Sequence, residues 1–460
     1  MDVTFFGAAR EVTGSCHLVR VGESAVALDF GLFQGRRAET HDKNLSIPFA
    51  HEALSAVVLS HAHIDHSGRL PLLARYGFDR PVYATPATRD LCAIMLADSA
   101  HIQEKDAEFL ARRGKSVAPP LYDQRDVARL MSRMSAVPYR VPFDVAPGIR
   151  ATFVEAGHIL GSASVVLDCV ENDVSRRLVF SGDIGRWGLP IIRDPEPPKG
   201  ADVVIMESTY GNRDHESVAA MPDELGRIVR ETAAKGGRVL IPAFAVGRTQ
   251  ELLYDLHRLT RAGAIPAIPI VLDSPLAIAA TTVFATNPDA FDRGEELVTA
   301  VDDLFDFERL EFTRDTAASK ALNERLGPMV VIAASGMAES GRILHHLAHG
   351  ASNPRNTILI VGFQAEHTLG RRIVERRPSL KIFGDEVPLK ARVEILNGYS
   401  AHGDRGELRR WLGEVSGSSD TKPVLYLVHG EPAAQDALAG TLRGDGYSVT
   451  IPDRGTRHAF

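Results

Sequence analysis

The sequence predicts an α/β protein in which one domain is interrupted by a second, parallel α/β domain. Two observations carry this expectation. First, apolar, β-branched runs of roughly four to eight residues recur, each ending in a polar loop. They are SAVALDFG at Asp29, SAVVLSHAHIDH at His61, His63, Asp65 and His66, and TFVEAGH at His158. RRLVFSGDIG follows at Asp183, VVIMESTYG at Glu207, VEILNGYSAHGD at His402 and VLYLVHGE at His429. Second, from about 212 to 392 the pattern becomes strand, small-residue loop, helix. It runs through GRVLIPAFAVGRTQELLYDLHRL, AIPIVLDSPLAIAATTVFA, MVVIAASGMAESGRILHHLAHG and NTILIVGFQAEHTLGRRIVER. That alternation marks a parallel sheet with helical crossovers.

Strand ends that carry His, Asp or Glu suggest one convergent site, because a sheet fixes the loops and the loops supply the chemistry. These residues flank the 212–392 block. The block therefore reads as an insertion, with 1–211 and 393–460 together forming the host domain. Residues 86–113 look helical and amphipathic, with Asp98 and His101 as surface or satellite-core groups.

Composition fits an ordinary soluble globular protein: 460 residues, 44% hydrophobic and 24% charged. The start, MDVTFFGAAREVTG, lacks a basic segment followed by an apolar core, so no signal peptide is expected. No run approaches the roughly 18 apolar residues of a membrane span, so no membrane partner is expected. Cys16, Cys92 and Cys169 are isolated and lack CxxC spacing, which favours buried thiols in a reducing, cytoplasmic compartment. A net charge of −7 makes no global case for nucleic acid. Attraction for a polyanion would have to come from local basic patches or bound metal.

The stretch LSHAHIDHSG holds the densest chemistry. In extended chain His61 and His63 project to one side, and Asp65 and His66 follow as the chain turns toward a helix in RLPLLARYG. Imidazole nitrogens and carboxylate oxygens are the usual zinc donors. Four donors this close in sequence suit two ions about 3.5–4 Å apart better than one. Further ligands, one of them bridging, are available at His158, Asp183 and His429.

Taken in order, SHAHIDHSG, AGH, SGDIG, ESTYG, the inserted block, SAHGD and LVHGE resemble the β-CASP branch of metallo-β-lactamase-fold nucleases. Within it the chain is similar to bacterial and archaeal relatives of the pre-mRNA 3′-end cleavage endonuclease subunit. The resemblance extends to GAAREVTGSCHL, AFAVGRTQELL, LDSPLA and SGMAESGRILHHL. It implies a metallo-β-lactamase αββα sandwich with an inserted parallel α/β (β-CASP) domain. It also implies two Zn2+ per chain and hydrolysis of single-stranded RNA threading between the domains. His61, His63 and His158 would bind one ion, Asp65, His66 and His429 the other, and Asp183 would bridge. Asp65 would share in catalysis, and Asp29 would steady a ligand from behind. His402 would protonate the leaving oxygen, its pKa raised by Glu207. Ser400, Arg248 and Arg342 are candidate phosphate or RNA contacts. Arg371 and Arg372 also sit near loop–helix junctions. One departure is His367, where relatives often carry glycine before TLG.

The alternatives are a DNA nuclease of the same branch, in which valine typically stands at the place of His429, or a small-molecule hydrolase of the wider fold. A homodimer is among the assemblies the sequence leaves open. GYSAHG at 398–403 misses the GxSxG pattern because His402 takes the last glycine position. His345 and His349 in HHLAHG lack the glutamate of a zinc-protease helix. His17, His51, His101, His215, His257 and His458 receive no role.

Overall fold

The computed structural model describes residues 1–35, 37–112, 119–292, 305, 307–362, 364, 367–417 and 421–460. It divides into two compact units. Met1–Trp187, Asp194–Asp214 and His402–Phe460 make the first; Gly188–Arg193 and His215–Ala401 make the second.

In chain order the first unit contributes Asp2–Gly7 (β1), Cys16–Val21 (β2), Ser24–Leu28 (β3), Ala56–Val58 (β4), Val82–Ala84 (β5) and Met134–Ala136 (β6). Phe143–Ala146 (β7), Ile149–Glu155 (β8), Ala163–Glu171 (β9), Val174–Phe180 (β10) and Val203–Met206 (β11) follow. The second unit holds Arg238–Pro242 (β12), Ile270–Leu272 (β13), Leu310–Phe312 (β14), Met329–Ala333 (β15) and Thr357–Ile360 (β16). It also holds Ser379–Ile382 (β17), Asp385–Pro388 (β18) and Arg392–Ile395 (β19). The chain then returns to the first unit for Val424–Leu427 (β20), Ser448–Thr450 (β21) and Arg457–Ala459 (β22).

The first unit packs two seven-stranded sheets, β22-β1-β2-β3-β4-β5-β6 and β21-β20-β11-β10-β9-β8-β7. Strand alternation divides their apolar residues between two faces. Val165 and Leu167 of β9, Leu178 and Phe180 of β10, and Val203 and Ile205 of β11 turn inward. There they meet Val3, Phe5, Val19, Val26 and Leu28 of the facing sheet. The residues between them, Val166, Val179, Val204 and Met206, turn outward against Leu408, Trp411 and Leu412 of helix Arg405–Ser416 and Leu438 of helix Pro432–Gly444. Helices Leu70–Arg75, Pro86–Arg112 and Gln124–Met131 pack together beside the other sheet. This is the expected αββα layering.

In the second unit the strands run β14-β13-β15-β12-β16-β19, every neighbouring pair parallel. Each of the four strand–loop–helix segments read from the sequence forms as expected, with helices Arg248–Arg261, Pro275–Thr286, Ile343–Gly350 and Leu369–Val374. Two boundaries differ from the expectation. VEIL is not a strand of the host domain: β19 pairs with β16 and closes the inserted sheet, so the second unit runs to 401 rather than 392. The strap 188–193 also joins that unit, where Ile192 bridges Phe291. Among the described residues no helix is long and apolar enough to cross a membrane.

The loop after β3 is laced to the turn at 64–66. Phe30 N–H donates to His66 O at 2.9 Å, Leu32 N–H to Ile64 O at 2.9 Å, and Ser15 N–H to Asp65 O at 2.8 Å. The approach is so close that a Cβ on Gly31 would lie 1.6 Å from Asp65 O. Arg69, fully buried, clamps the same loop through Nε to Gly31 O at 2.6 Å and stacks on Phe30 at 4.2 Å. Gly31→Ala should therefore destabilise by about 1–3 kcal/mol or more, the usual cost of overpacking. Gly413→Ala, in the interior of helix Arg405–Ser416 with nothing within 4 Å of the new Cβ, should stabilise by about 0.5–1 kcal/mol. Denaturant midpoints of the two variants check the opposite signs.

Candidate metal centre

Strands β3 and β4 are parallel, as are β10, β11 and β20, and β8 runs with β10 through the antiparallel β9. Their C-terminal ends thus share one edge of the sandwich. Asp29, His61, His158, Asp183, Glu207 and His429 each follow one of those ends within three residues. His402 does not. It lies seven residues beyond β19, in the loop that Asp404 closes as N-cap of helix Arg405–Ser416 in a capping box with Glu407. Gly403 N–H pins this loop to Ile184 O at 2.7 Å.

Around Asp183 the side chains converge. His63 Nδ1 lies 3.1 Å from both His61 Nε2 and His158 Nε2. Asp183 Oδ2 is 3.4 Å from His61 Nε2, 3.5 Å from His158 Nε2 and 3.3 Å from His66 Nε2. On the other side His66 Nε2 faces His429 Nε2 at 3.1 Å, and His429 Nε2 lies 3.5 Å from Asp65 Oδ2. Asp183 Oδ1 is 3.5 Å from His429 Nδ1 and, though buried, has no hydrogen-bond partner. One group therefore consists of His61, His63, His158 and Asp183, and a second of Asp65, His66 and His429.

Three of the rings have their Nδ1 held by a side-chain oxygen. Asp29 Oδ2 takes His66 Nδ1 at 2.7 Å and the hydroxyls of Ser15 and Ser60, each at 3.0 Å. Ser60 Oγ takes His61 Nδ1 at 3.1 Å, and Thr209 Oγ1 takes His429 Nδ1 at 3.0 Å. Such partners fix tautomer and ring orientation for metal binding.

Electrostatics agree. Burial, with neighbouring histidines adding to it, pushes His61 well below the ordinary imidazole value and His63 down to about 4, so both are neutral donors. His66 rises well above it: burial opposes the charge, but Asp183 and Asp29 overcome burial, and a positive charge is favoured between these groups. Asp65 falls to about 2 despite burial, chiefly through its hydrogen bond with His429. Three imidazole nitrogens facing one another cannot all be satisfied by shared protons. Ligands about 2.0–2.1 Å from a tetrahedral zinc lie about 3.3 Å apart, close to the spacings here. The donor set fits zinc.

Glu207 also approaches Asp183 and His429, but its oxygens are already engaged. They accept Ile184 N–H at 2.6 Å, Thr209 N–H at 3.3 Å and His402 Nδ1 at 3.1 and 3.2 Å. His402 Nδ1 is 3.9 Å from Asp183.

The proposed phosphate contacts fare differently. Arg248 is buried and paired with Glu251. Arg342 spends its guanidinium on Asp273 Oδ1 at 2.7 Å, Thr313 O at 2.8 Å and Arg314 O at 2.9 Å. Both brace the inserted unit, and neither guanidinium is offered to a phosphate. Ser400 is buried in the second unit, its N–H bonded to Asn397 O at 2.9 Å. Arg371 pairs with Glu375. His367 adopts φ +70°, the left-handed conformation that glycine would take without strain; Ala365 and Glu366 beside it lie outside the described residues. None of the histidines without an assigned role enters a metal-capable group among the described residues. Sequence reading missed Ser15, Ser60 and Thr209. Ser60 and Thr209 sit inside LSHAH and ESTYG, but a hydroxyl in a motif does not announce which ring it will orient.

Comparisons with known proteins bear on the same regions. The metallo-beta-lactamase superfamily model matches residues 9–216 and the Beta-Casp domain model matches 249–373. The Zn-dependent metallo-hydrolase RNA specificity domain model matches 386–452. The chain is 39% identical over 454 residues to ribonuclease TTHA0252 of Thermus thermophilus, covering 98% of each. It is 32% identical over 453 residues to transcription termination factor FttA of Methanosarcina mazei, covering 96% of this chain and 68% of that protein. A crystal structure of a protein of unknown function from Enterococcus faecalis superposes with a TM-score of 0.55 at 13% identity, covering 100% of this chain and 99% of that one. That last likeness concerns the fold alone.

The carboxylate behind His66 gives a direct check. Asp29→Ala should leave the ligand atoms in place but lower metal affinity about 10–100-fold. Competition with a fluorescent chelator measures it, and an unchanged affinity would separate Asp29 from metal binding.

Proposed function

The chain belongs to the β-CASP branch of the metallo-β-lactamase superfamily and, with a ribonuclease as a full-length relative, is a metal-dependent ribonuclease; we propose that it hydrolyses single-stranded RNA using two zinc ions and a histidine acid. The observation that carries this reading is the complete donor set around Asp183. His61, His63 and His158 would hold one ion, Asp65, His66 and His429 the other, with Asp183 shared. Bound there, zinc supplies Lewis acidity and a water of lowered pKa.

The chain's own groups do the rest. Asp29, Ser60 and Thr209 hold the ligand rings, which limits reorganisation when substrate arrives. His402 commits Nδ1 to Glu207, so the proton it gives to the leaving oxygen comes from Nε2. Burial opposes the imidazolium, but the carboxylates of Glu207 and Asp183 outweigh it and raise the pKa to about 9. Cations on Asp183 would cancel that carboxylate's share, which leaves Glu207 as the group that keeps His402 protonated. RNA rather than DNA is favoured by the match to an RNA specificity domain over 386–452 and by His429. The inserted unit weighs against a small-molecule hydrolase.

End-labelled single-stranded RNA should be cut, a chelator should abolish cutting, and zinc should restore it. Single-stranded DNA of the same sequence should be cut poorly. Equal cleavage of DNA, or full activity in stably metal-free protein, would overturn the reading.

His402→Ala should keep both metals and lose roughly 10²–10⁴-fold in rate. A substrate whose leaving oxygen is replaced by sulfur departs without protonation, so this variant should cleave it at nearly the parent rate. An acid works only while protonated, so the rate falls as pH rises through its pKa. Glu207→Gln lowers that pKa and should bring the fall to lower pH. Metal loss in His402→Ala would make it a ligand; failed sulfur rescue with metal retained would make it a phosphate binder.

A further inference from the structure

HHLAHG lacks the glutamate of a zinc-protease helix, and the structure gives its histidines another setting. A cavity of about 830 Å³ lies in the second unit. Helix Thr316–Glu324, the loop 340–342, helix Ile343–Gly350 and the tip of the β17–β18 hairpin line it. We propose that this cavity is a nucleotide subsite of the inserted unit, in which a base of the RNA chain stacks on Phe383 and the adjoining phosphate meets Lys320, His345 and His349. The proposal rests on single-stranded RNA being the substrate.

Phe383 is the first reason. It occupies the two-residue turn between Ile382 and Asp385, with φ +54° at Phe383 and +100° at Gly384. Asn and Gly are the residues such a turn wants, and a bulky side chain at positive φ is costly. Phe383 is nonetheless 61% exposed, so burial does not offset that cost. It is backed by His345, with ring centroids 4.6 Å apart at 36°. An exposed aromatic on a firm backing is the platform on which nucleic-acid bases stack without sequence preference.

The second reason is the distribution of charge. Beneath the cavity the polar groups satisfy one another. Asp273 receives Arg342 at 2.7 Å, Ser319 at 2.6 Å and His346 at 2.6 Å, which makes a rigid floor. Ser319 and Arg342 of the lining are spent on that floor, whereas Lys320, His345 and His349 are not bonded to it. Lys320 forms no ion pair among the described residues. His349 donates Nδ1 to His345 O at 2.8 Å, leaving Nε2 for another partner. Among the described residues Glu324 is the one acidic residue in the lining. Burial holds His345 below its ordinary pKa, and the crowding of His346, His349 and Lys320 adds to it. Such a site gains from an anion. A stacking ring beside an unpaired lysine and two imidazoles, in a space of this size, suits a phosphorylated base better than an apolar peptide.

The test uses the full chain with metal removed, so that RNA is bound but not cut. Phe383→Trp places an indole on the platform, and a single-stranded RNA oligonucleotide should quench its emission. Phe383→Asn suits the turn and should keep the melting temperature, yet weaken RNA binding by roughly tenfold, the usual scale for one stacked base. Lys320→Ala should weaken binding and reduce its salt dependence. In metal-loaded protein Phe383→Asn should raise KM with kcat unchanged. RNA cleavage that persists with no quenching in Phe383→Trp and no loss of affinity in Phe383→Asn would overturn the subsite. Quenching by adenosine monophosphate but not by RNA would overturn it as well and assign the cavity to a free nucleotide. If the chain binds RNA here but cuts none under any metal, the subsite stands and the ribonuclease reading falls.

Discussion

The structure depends on one electrostatic demand: Asp183, almost fully buried, is ringed by histidine nitrogens on one side and faces His429 on the other, with Asp65 beyond His429. A buried carboxylate with a bare oxygen, and imidazole nitrogens packed against one another, are costly to assemble unless something positive sits among them. The residues that fix the rings, Asp29, Ser60 and Thr209, hold them facing inward against that repulsion. The site is preorganised, and binding a cation relieves rather than creates strain in its charge balance.

The sandwich is what brings these groups together. Parallel strands deliver their C-terminal ends to the same edge, so residues far apart in sequence become neighbours: His66 and His429 are 363 positions apart and face each other at 3.1 Å. Close backbone approaches, such as Gly31 against Asp65 O and Gly185 against Gly157 O, let the strand-end loops crowd in. His402 reaches the cluster by another route, from a helix-capping loop anchored to Ile184. That separate anchoring suits a group that handles a proton rather than a metal.

Much of this was legible in the sequence, because clustered histidines and carboxylates are chemically unusual and strand runs are apolar and regular. The alternation of strand, small-residue loop and helix gave away the inserted parallel sheet for the same reason. What could not be read depended on pairing across distance. VEIL has the pattern of any buried strand, and only its ladder with β16 assigns it to the insert and displaces His402 from a strand end. Arg248 and Arg342 looked available because the sequence does not display Glu251 or Asp273 as their partners. Phe383 drew no attention, since a single aromatic before a glycine reads as core until the turn exposes it.

The central claim is that two cations share Asp183. Crystals grown without added metal, measured on both sides of the zinc absorption edge, address it directly. Two anomalous peaks are expected, one among His61, His63 and His158 and one among Asp65, His66 and His429, both in contact with Asp183 and both vanishing below the edge. A single peak, or a second peak bound without Asp183, would contradict it.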